Sequence, residues 1–280
     1  MIYYLPIGDK NTASSRLRVF NIQPYIENSQ IGIPVEYTDK DILIIQKIAA
    51  LSELEKAKKQ GARVIYDIDD MYWDNPRFMQ MIDKADIITV DTEKKKEYLR
   101  EKWTDSIIEV IPDSLDWNGK TKQEYNKKNI IGWTGYGNNS QYLNDIDIPN
   151  EFTLRLITDT SWLKYYKDIT VQSRPWSIAM VDEYLSECDL GIYYLPERRF
   201  ELCKGMHKLL KNWAIGLPTI TSRTPDYVKA MNEAGVGDKY LIDDWSKLKY
   251  ISFDEKCREY AMQYKAEEIA KLWRKILQNV

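Results

Sequence analysis

The sequence predicts an α/β protein built from two parallel-sheet domains, and three observations carry that prediction. Short apolar strand-like runs alternate with helix-like segments along the chain, a rhythm that lays successive strands side by side and parallel. The alternation breaks once, over residues 112–129, where PDSLDWNGKTKQEYNKKN offers proline, asparagine, glycine and scattered lysines but no apolar period. It then restarts at NIIGWTGYG, a strand running into a glycine-rich turn. The boundary is therefore set at residue 125, giving an amino-terminal domain over 1–125 and a carboxy-terminal domain over 126–280 that includes a terminal helix.

In the first half the expected strands are IYYLP from Ile2, IPVEY from Ile33, DILIIQ from Asp41, RVIYD from Arg63, DIITV from Asp86 and IIEVI from Ile107. A first helix is expected over residues 14–28, with a serine suited to capping and Leu17, Phe20, Ile22, Tyr25 and Ile26 at near-helical spacing. The second half repeats the pattern through FTLRLIT, DITVQ, DLGIYYL, PTITS and KYLI. Each half also contains an acidic residue that opens an apolar strand, Asp86 in one and Asp189 in the other. Residues 253–280 read as one long helix that places Cys257, Tyr260, Ala261, Tyr264, Ile269, Leu272, Trp273 and Ile276 on a buried side, packing on a sheet or bridging the domains.

Composition narrows the function classes. A chain of 280 residues with 44% hydrophobic content buries a large core, and 40 basic against 43 acidic residues leave a formal charge of -3. No overall field draws it to nucleic acid or anionic lipid, although a local basic face remains open. Cys188, Cys203 and Cys257 are too scattered for a disulfide framework or a structural zinc site and read as reduced core thiols. The start MIYYLPIGDK enters a strand with no basic region, long apolar stretch or cleavage site, and apolar runs stay short throughout. A soluble, cytoplasmic protein without membrane insertion is expected.

Four stretches carry candidate chemistry. VIYDIDDMYWD, residues 64–74, sets a D-x-D of Asp67 and Asp69 behind a strand; hard oxygen ligands suit magnesium or manganese, while an ordinary polar loop at a sheet edge has the same appearance. LPERRFELCKGMHKLLKNWAIGLPTITSR, from Leu195, places Lys204, Lys208 and Lys211 four and three residues apart, so a helix opening near Lys204 would carry them along one side. An anion at that helix start relieves their repulsion and meets free backbone N–H groups and the positive dipole end, whereas a solvated lysine face needs no ligand. Gly216-Leu217-Pro218 is expected to stop the helix. GWTGYGNN, from Gly132, lets backbone amides approach a phosphate or sugar but matches neither the Walker loop nor G-x-G-x-x-G. GDKNTASSRLR, from Gly8, lies between the first strand and first helix, where Arg16 opposes the helix dipole unless an anion is present. The only histidine, His207, sits in the lysine-rich segment, and no G-x-S-x-G elbow exists, so nucleophilic triads find no support.

Taken together, these stretches resemble the GT-B glycosyltransferases, specifically the group related to glycosyltransferase family four and the glycogen-synthase-like enzymes. ASSRLR resembles that group's opening loop, VIYDIDD its V-x-D-x-D-D, and IIGWTGYGNN the start of its second domain. PWSIAMVDEYLSECDLGIYYLP and KGMHKLLKNWAIGLPTITS resemble its W…Y…L…D-[ILV]-[GA] and K…[NH]-K-[LF]-[LIV]-E-x-x-A-x-G-[LV]-P segments, the last being the most specific. The resemblance implies two Rossmann-like domains facing a cleft and transfer of a sugar from a nucleotide-sugar donor, a UDP-sugar, with no bound metal and no other cofactor. It also favours retention of configuration, with the leaving phosphate taking the acceptor proton.

By the same resemblance Lys204 and Lys208 hold the diphosphate, Glu201 lies near the sugar hydroxyls, and Thr134, Gly135 and Gly205 complete the donor side. Asp69, Asp70 and Arg16 form the catalytic group, and Ser15, Asp67, Trp73 and Tyr136 face the acceptor. The chain departs from the family at Lys211, where a ribose-binding glutamate is usual, and it is short for two such domains. The brevity and the tyrosine-, lysine- and asparagine-rich composition resemble phage-encoded chains, so a hydroxymethylated DNA base stands beside a glycan as acceptor. Lys94, Lys95, Lys96, Lys120, Lys122, Lys127 and Lys128 are then candidate phosphate contacts, and Trp73 and Tyr136 candidate holders of a flipped base. The competing readings are a metal-dependent single-domain transferase using Asp67 and Asp69, and a non-catalytic module that binds a nucleotide or sugar phosphate.

Overall fold

A computed structural model of the chain describes residues 1–72, 74–123, 128–159, 169–241, 248 and 250–279. The chain divides into two compact units, one of Met1–Ser114, Cys203–Gly205 and Tyr264–Val280, the other of Leu115–Leu202 and Met206–Gln263. The expected cut at residue 125 lies outside the described residues.

In the first unit the strands are β1 (Ile2–Leu5), β2 (Ser29–Ile31), β3 (Ile42–Gln46), β4 (Arg63–Ile68), β5 (Ile87–Val90) and β6 (Ile108–Val110). Among the described residues they form one parallel sheet in the order β2-β1-β3-β4-β5-β6. Alternation along β3 and β4 feeds two cores: Leu43, Ile45, Val64 and Tyr66 enter one, Ile44 and Ile65 the other. Burial on both faces explains why these strands read as unbroken apolar runs rather than alternating ones. The helices are α1 (Ala13–Ser15), α2 (Leu51–Lys59), α3 (Pro76–Lys84) and α4 (Glu93–Arg100). Two begin as local chemistry dictates: the Asn75 side chain accepts from the Arg77 amide ahead of α3, and Thr92 does the same for the Lys95 amide of α4.

The second unit has β7 (Ile130–Thr134), β8 (Thr153–Thr158), β9 (Thr170–Pro175), β10 (Leu190–Tyr193) and β11 (Thr219–Thr221), parallel in the order β11-β10-β7-β8-β9. Its helices are α5 (Val181–Ser186), α6 (Arg199–Leu202), α7 (His207–Ile215), α8 (Pro225–Glu233) and α9 (Glu255–Met262). The α/β class with two parallel sheets is as expected. In each sheet the strand order reverses once, between β1 and β3 in the first and between β7 and β10 in the second. Such a reversal opens a crevice beyond the carboxyl ends of the strands, so the candidate sites belong there.

The echo between the halves has a physical basis. The Asp86 carboxylate accepts from the Val64 amide at 2.8 Å and the Asp189 carboxylate from the Ile130 amide at 2.9 Å, so each ties the start of its own strand to that of a neighbour.

Several expected elements differ. Residues 14–28 do not form one helix: α1 passes into a wide π turn over Arg16–Phe20 and then a 3₁₀ turn over Gln23–Tyr25, and no side chain caps the start at Thr12. IPVEY is not a strand; the edge strand is Ser29–Ile31, and Val35 stands 90% exposed where proline denies it a ladder. KYLI gives a 3₁₀ turn over Gly237–Tyr240 and one bridge from Leu241 to Thr221, with residue 242 outside the described residues. The expected long last helix is two, α9 and α10 (Ala266–Leu277), separated at residues 263–265. Ile269, Ala270 and Trp273 of α10 join Tyr4, Val19, Ile44 and Ile65 in the first unit's core. The terminal helix thus differs from its expected place in the second domain, because its apolar stripe completes the first sheet's covering. Among the described residues no helix is long and apolar enough to cross a membrane.

Candidate functional site

At the carboxyl edge of the first sheet, strand ends deliver charges of both signs. The Arg18 guanidinium binds both oxygens of Asp67 at 2.8 and 2.6 Å and reaches Asp113 at 3.0 Å and the Ile111 carbonyl at 2.9 Å. Thr89, in register with Asp67 across β4 and β5, adds a 2.6 Å hydrogen bond to it. Arg18 and Asp67 side chains are each 1% exposed. Asp67, expected on the acceptor side, is therefore an interior group with both oxygens engaged.

Asp70 lies between two lysines. Lys47, which follows β3, pairs with it, and Lys204 Nζ lies 3.0 Å from its Oδ1. Burial raises the Asp70 carboxyl, but Lys204 and Lys47 outweigh it and hold it at about 2. Asp69 is pushed the other way, above the usual carboxylate range, chiefly by burial, with Lys47 at 3.3 Å opposing the shift. Among the described residues its Oδ1 accepts no hydrogen bond, and the Lys47 ammonium is its charge partner. Lys95, fully buried on α4, pairs with Asp91 and donates to the Asp69 carbonyl at 2.6 Å; burial lowers its pKa, and the Asp91 charge more than reverses that.

The residues of the opening loop serve the loop itself. Ser15 Oγ accepts from the Gly8 amide at 3.0 Å and donates to Gln46 Oε1 at 3.1 Å. Arg16, whose charge at a helix start pointed to an anion, reaches back to the carbonyls of Lys10 at 2.8 Å and Asn11 at 3.4 Å. Trp73 lies outside the described residues.

In the second unit the glycine turn follows β7. Thr134 Oγ1 donates to the Ile157 carbonyl at 3.0 Å, the Gly135 amide approaches the same oxygen at 3.3 Å, and the Gly137 amide meets Asp159 at 2.9 Å. Tyr136 projects outward, 59% exposed. A side chain at Gly135 would meet Lys208 Nζ and the Trp133 ring at 2.8 Å, so glycine is what lets the lysine lie against the turn. The Lys208 ammonium sits 5.6 Å from the Trp133 ring centre and 5.7 Å from that of Tyr193, at the ends of the two strands that flank the reversal.

Helix α7 opens at His207 with Met206 as its cap and no side-chain cap hydrogen bond, then ends at Gly216 with φ of +92°, as expected of that glycine. The lysine stripe is not on one helix. Lys204 precedes α7 in the Cys203–Gly205 segment of the first unit, where Gly205 leaves room for Asp91: a Cβ there would stand 3.0 Å from its Oδ2. Lys211 is buried against Asp182 at 2.8 Å and Asp116 at 3.4 Å, so only Lys208 stays beside the glycine turn. Glu201, on α6, is 4% exposed and accepts from the Tyr142 hydroxyl at 2.6 Å.

The candidate phosphate-contacting lysines are mostly engaged. Lys94 pairs with Glu97 at 2.7 Å, Lys96 with Glu109 at 3.7 Å and Lys120 with Glu183 at 2.7 Å, while Lys122 donates to the Cys188 carbonyl at 2.6 Å. Lys127 lies outside the described residues. Among the described residues no group of three or more histidine, cysteine, aspartate or glutamate side chains is arranged to hold a metal ion.

No protein-family model matches the chain, and no curated protein matches it in sequence. Its fold is matched by solved structures of GT-B glycosyltransferases. HepE from Anabaena, in complex with UDP-glucose, superposes with a TM-score of 0.70 over 100% of both chains at 10% identity. The pneumococcal O-GlcNAc transferase GtfA, in complex with UDP and GlcNAc, gives 0.59 at 14% identity over 87% of this chain and 57% of its own. Sucrose-phosphate synthase from Thermosynechococcus elongatus gives 0.59 at 12% identity over 85% of this chain and 74% of its own. The chain thus spans little more than half of the GtfA structure.

Proposed function

We propose that this chain is a glycosyltransferase that moves a sugar from a UDP-sugar to a hydroxyl of its acceptor without a bound metal. The observation that carries the proposal is Lys208, seated beside the glycine turn at the strand reversal of the second sheet and in the first turn of a helix whose start has no side-chain cap. A diphosphate there meets an ammonium and the positive end of the helix dipole. Those groups stabilise the charge that develops on the leaving diphosphate, which is the main electrostatic demand of the transfer. The UDP-glucose complex of HepE and the UDP complex of GtfA support the choice of nucleotide.

Independence from metal is supported by Asp67, whose oxygens are taken by Arg18 and Thr89 and are poorly placed to coordinate a cation through a D-x-D. Asp69 and Asp70 are assigned to the acceptor. A neutral hydroxylated acceptor, a glycan, is favoured over DNA because Lys94, Lys96 and Lys120 already carry carboxylate partners. Transfer to a hydroxymethylated base in DNA is the reading the acceptor assay must exclude. The cysteines, all buried and unbridged, suit the cytoplasm.

Lys208→Ala is expected to weaken UDP binding by about 1 to 3 kcal/mol, the scale of a lost charge-assisted contact. Titration calorimetry reads this directly, and unchanged affinity removes the diphosphate assignment. The function itself is tested by mass spectrometry of glycans and of hydroxymethylated duplex DNA after incubation with mixed nucleotide sugars. A glycan gaining one sugar mass is the expected product.

A further inference from the structure

Lys47 takes a backbone conformation that its residue type avoids. It follows β3 with φ of +62°, in the left-handed region where a Cβ crowds the carbonyl oxygen that follows. The other non-glycine residues with positive φ among the described residues, Asn28 and Asn129, are of the type that tolerates it. A lysine held there needs compensation from its surroundings, and such strain gathers where function fixes the geometry. The compensation is visible at both ends of the residue. Its amide donates to the Asp67 carbonyl at 2.9 Å, and its ammonium pairs with Asp70, stands 3.3 Å from Asp69 and lies 5.7 Å from the centre of the Tyr72 ring. Burial disfavours the ammonium, but Asp69 and then Asp70 more than reverse that, so the side chain stays charged with 11% of its surface exposed.

The location matters as much as the strain. Strand β3 flanks the order reversal of the first sheet, so Lys47 stands at the carboxyl edge where that reversal opens a crevice. The backbone of the acidic turn is also held from elsewhere, because Lys95 donates to the Asp69 carbonyl at 2.6 Å. What Lys47 adds is therefore the direction and charge of the two carboxylates rather than the path of the chain. We infer that Lys47 is a positioning residue, whose left-handed backbone sets its ammonium between Asp69 and Asp70 and so aims both carboxylates at the acceptor hydroxyl. This rests on the assignment of Asp69 and Asp70 to the acceptor given above. The other groups around the pair are Lys204 beside Asp70, Arg18, Lys95 and Asp113 around Asp69, and the phenols of Tyr66 and Tyr72.

The test uses Lys47→Gly and Lys47→Asn in the full chain. Glycine and asparagine both accept the left-handed backbone, so each variant removes the ammonium without breaking the turn. Activity is read as sugar transfer from UDP-glucose or UDP-N-acetylglucosamine to methyl α-glucoside, methyl β-galactoside or hydroxymethylated duplex DNA. With the acceptor that the parent uses, kcat/KM for that acceptor is expected to fall about a hundredfold in both variants, the cost of a misplaced contact near the reacting groups. UDP affinity should stay within about twofold of the parent, because Lys208 is untouched. Loss of a neighbouring positive charge raises the pKa of both carboxyls, so the acid limb of the kcat/KM profile should move to higher pH. Parent-like kcat/KM in both variants overturns the inference, and so does a loss in which the acid limb stays in place, the sign of a framework role. A parent chain that binds UDP but transfers to none of the three acceptors overturns the acceptor assignment and the inference with it, leaving the donor site standing.

Discussion

Arg18→Leu is expected to lower the unfolding free energy by about 3–5 kcal/mol, the scale seen when one partner of a buried ion pair is removed. The reason lies in what remains: among the described residues Asp67, 1% exposed, keeps the Thr89 hydroxyl alone, and Asp113 loses its 3.0 Å contact. Asp113 also feels the charges of Asp69 and Asp91, which the guanidinium no longer offsets. Urea unfolding followed by circular dichroism measures the change as a shift in midpoint at unchanged slope. The double variant Arg18→Leu with Asp67→Asn should recover part of the loss, because no unpaired charge stays at that position. A loss below about 1 kcal/mol in the single variant, the range of an exposed pair, would show that water reaches this network.

Asp69→Asn is expected to make the protein more stable at neutral pH and far less active. Burial raises the folded-state pKa of Asp69 above its unfolded value, so the folded chain binds this proton more tightly than the unfolded chain does. Ionisation therefore costs stability as pH rises above about 4, the ordinary value for the group. The amide variant is free of that cost, and Lys47 keeps Asp70 as a partner. The gain in melting temperature should accordingly be present at pH 7 and fade below about pH 4, where both states of the parent are protonated. Turnover should drop by about a hundredfold, the scale of a lost positioning contact to the acceptor, with UDP affinity nearly unchanged. Equal loss of stability and activity would instead make Asp69 a framework residue.

How much of this was legible in the sequence depended on the range of the interaction. Local periodicity and turn chemistry read correctly for most elements: the apolar strand runs other than IPVEY and KYLI, the repeat of the α/β pattern after the break, and Gly216 as a helix stop all depend on neighbouring residues. The α10 helix was legible as amphipathic, but its partner was not, since the choice between two sheets is made by tertiary packing of Ile269 and Trp273. Spacing alone put Lys204, Lys208 and Lys211 on one helix face. The chain instead starts α7 at His207, and Asp70 and Asp182, distant in sequence, take two of the three lysines. Arg18, Lys47 and Tyr142 escaped notice for the same reason: each acquires its role from a partner on another strand or loop. A basic residue immediately after a buried parallel strand, as Lys47 is after β3, was the one local signal available.

The central claim is a UDP-sugar site that needs no metal, and the most direct measurement is calorimetric titration of the chain with UDP in excess EDTA, repeated with added manganese. The account predicts saturable binding in EDTA, unchanged by manganese and weakened in Lys208→Ala. Binding that appears only when manganese is supplied, or no binding under either condition, would contradict it.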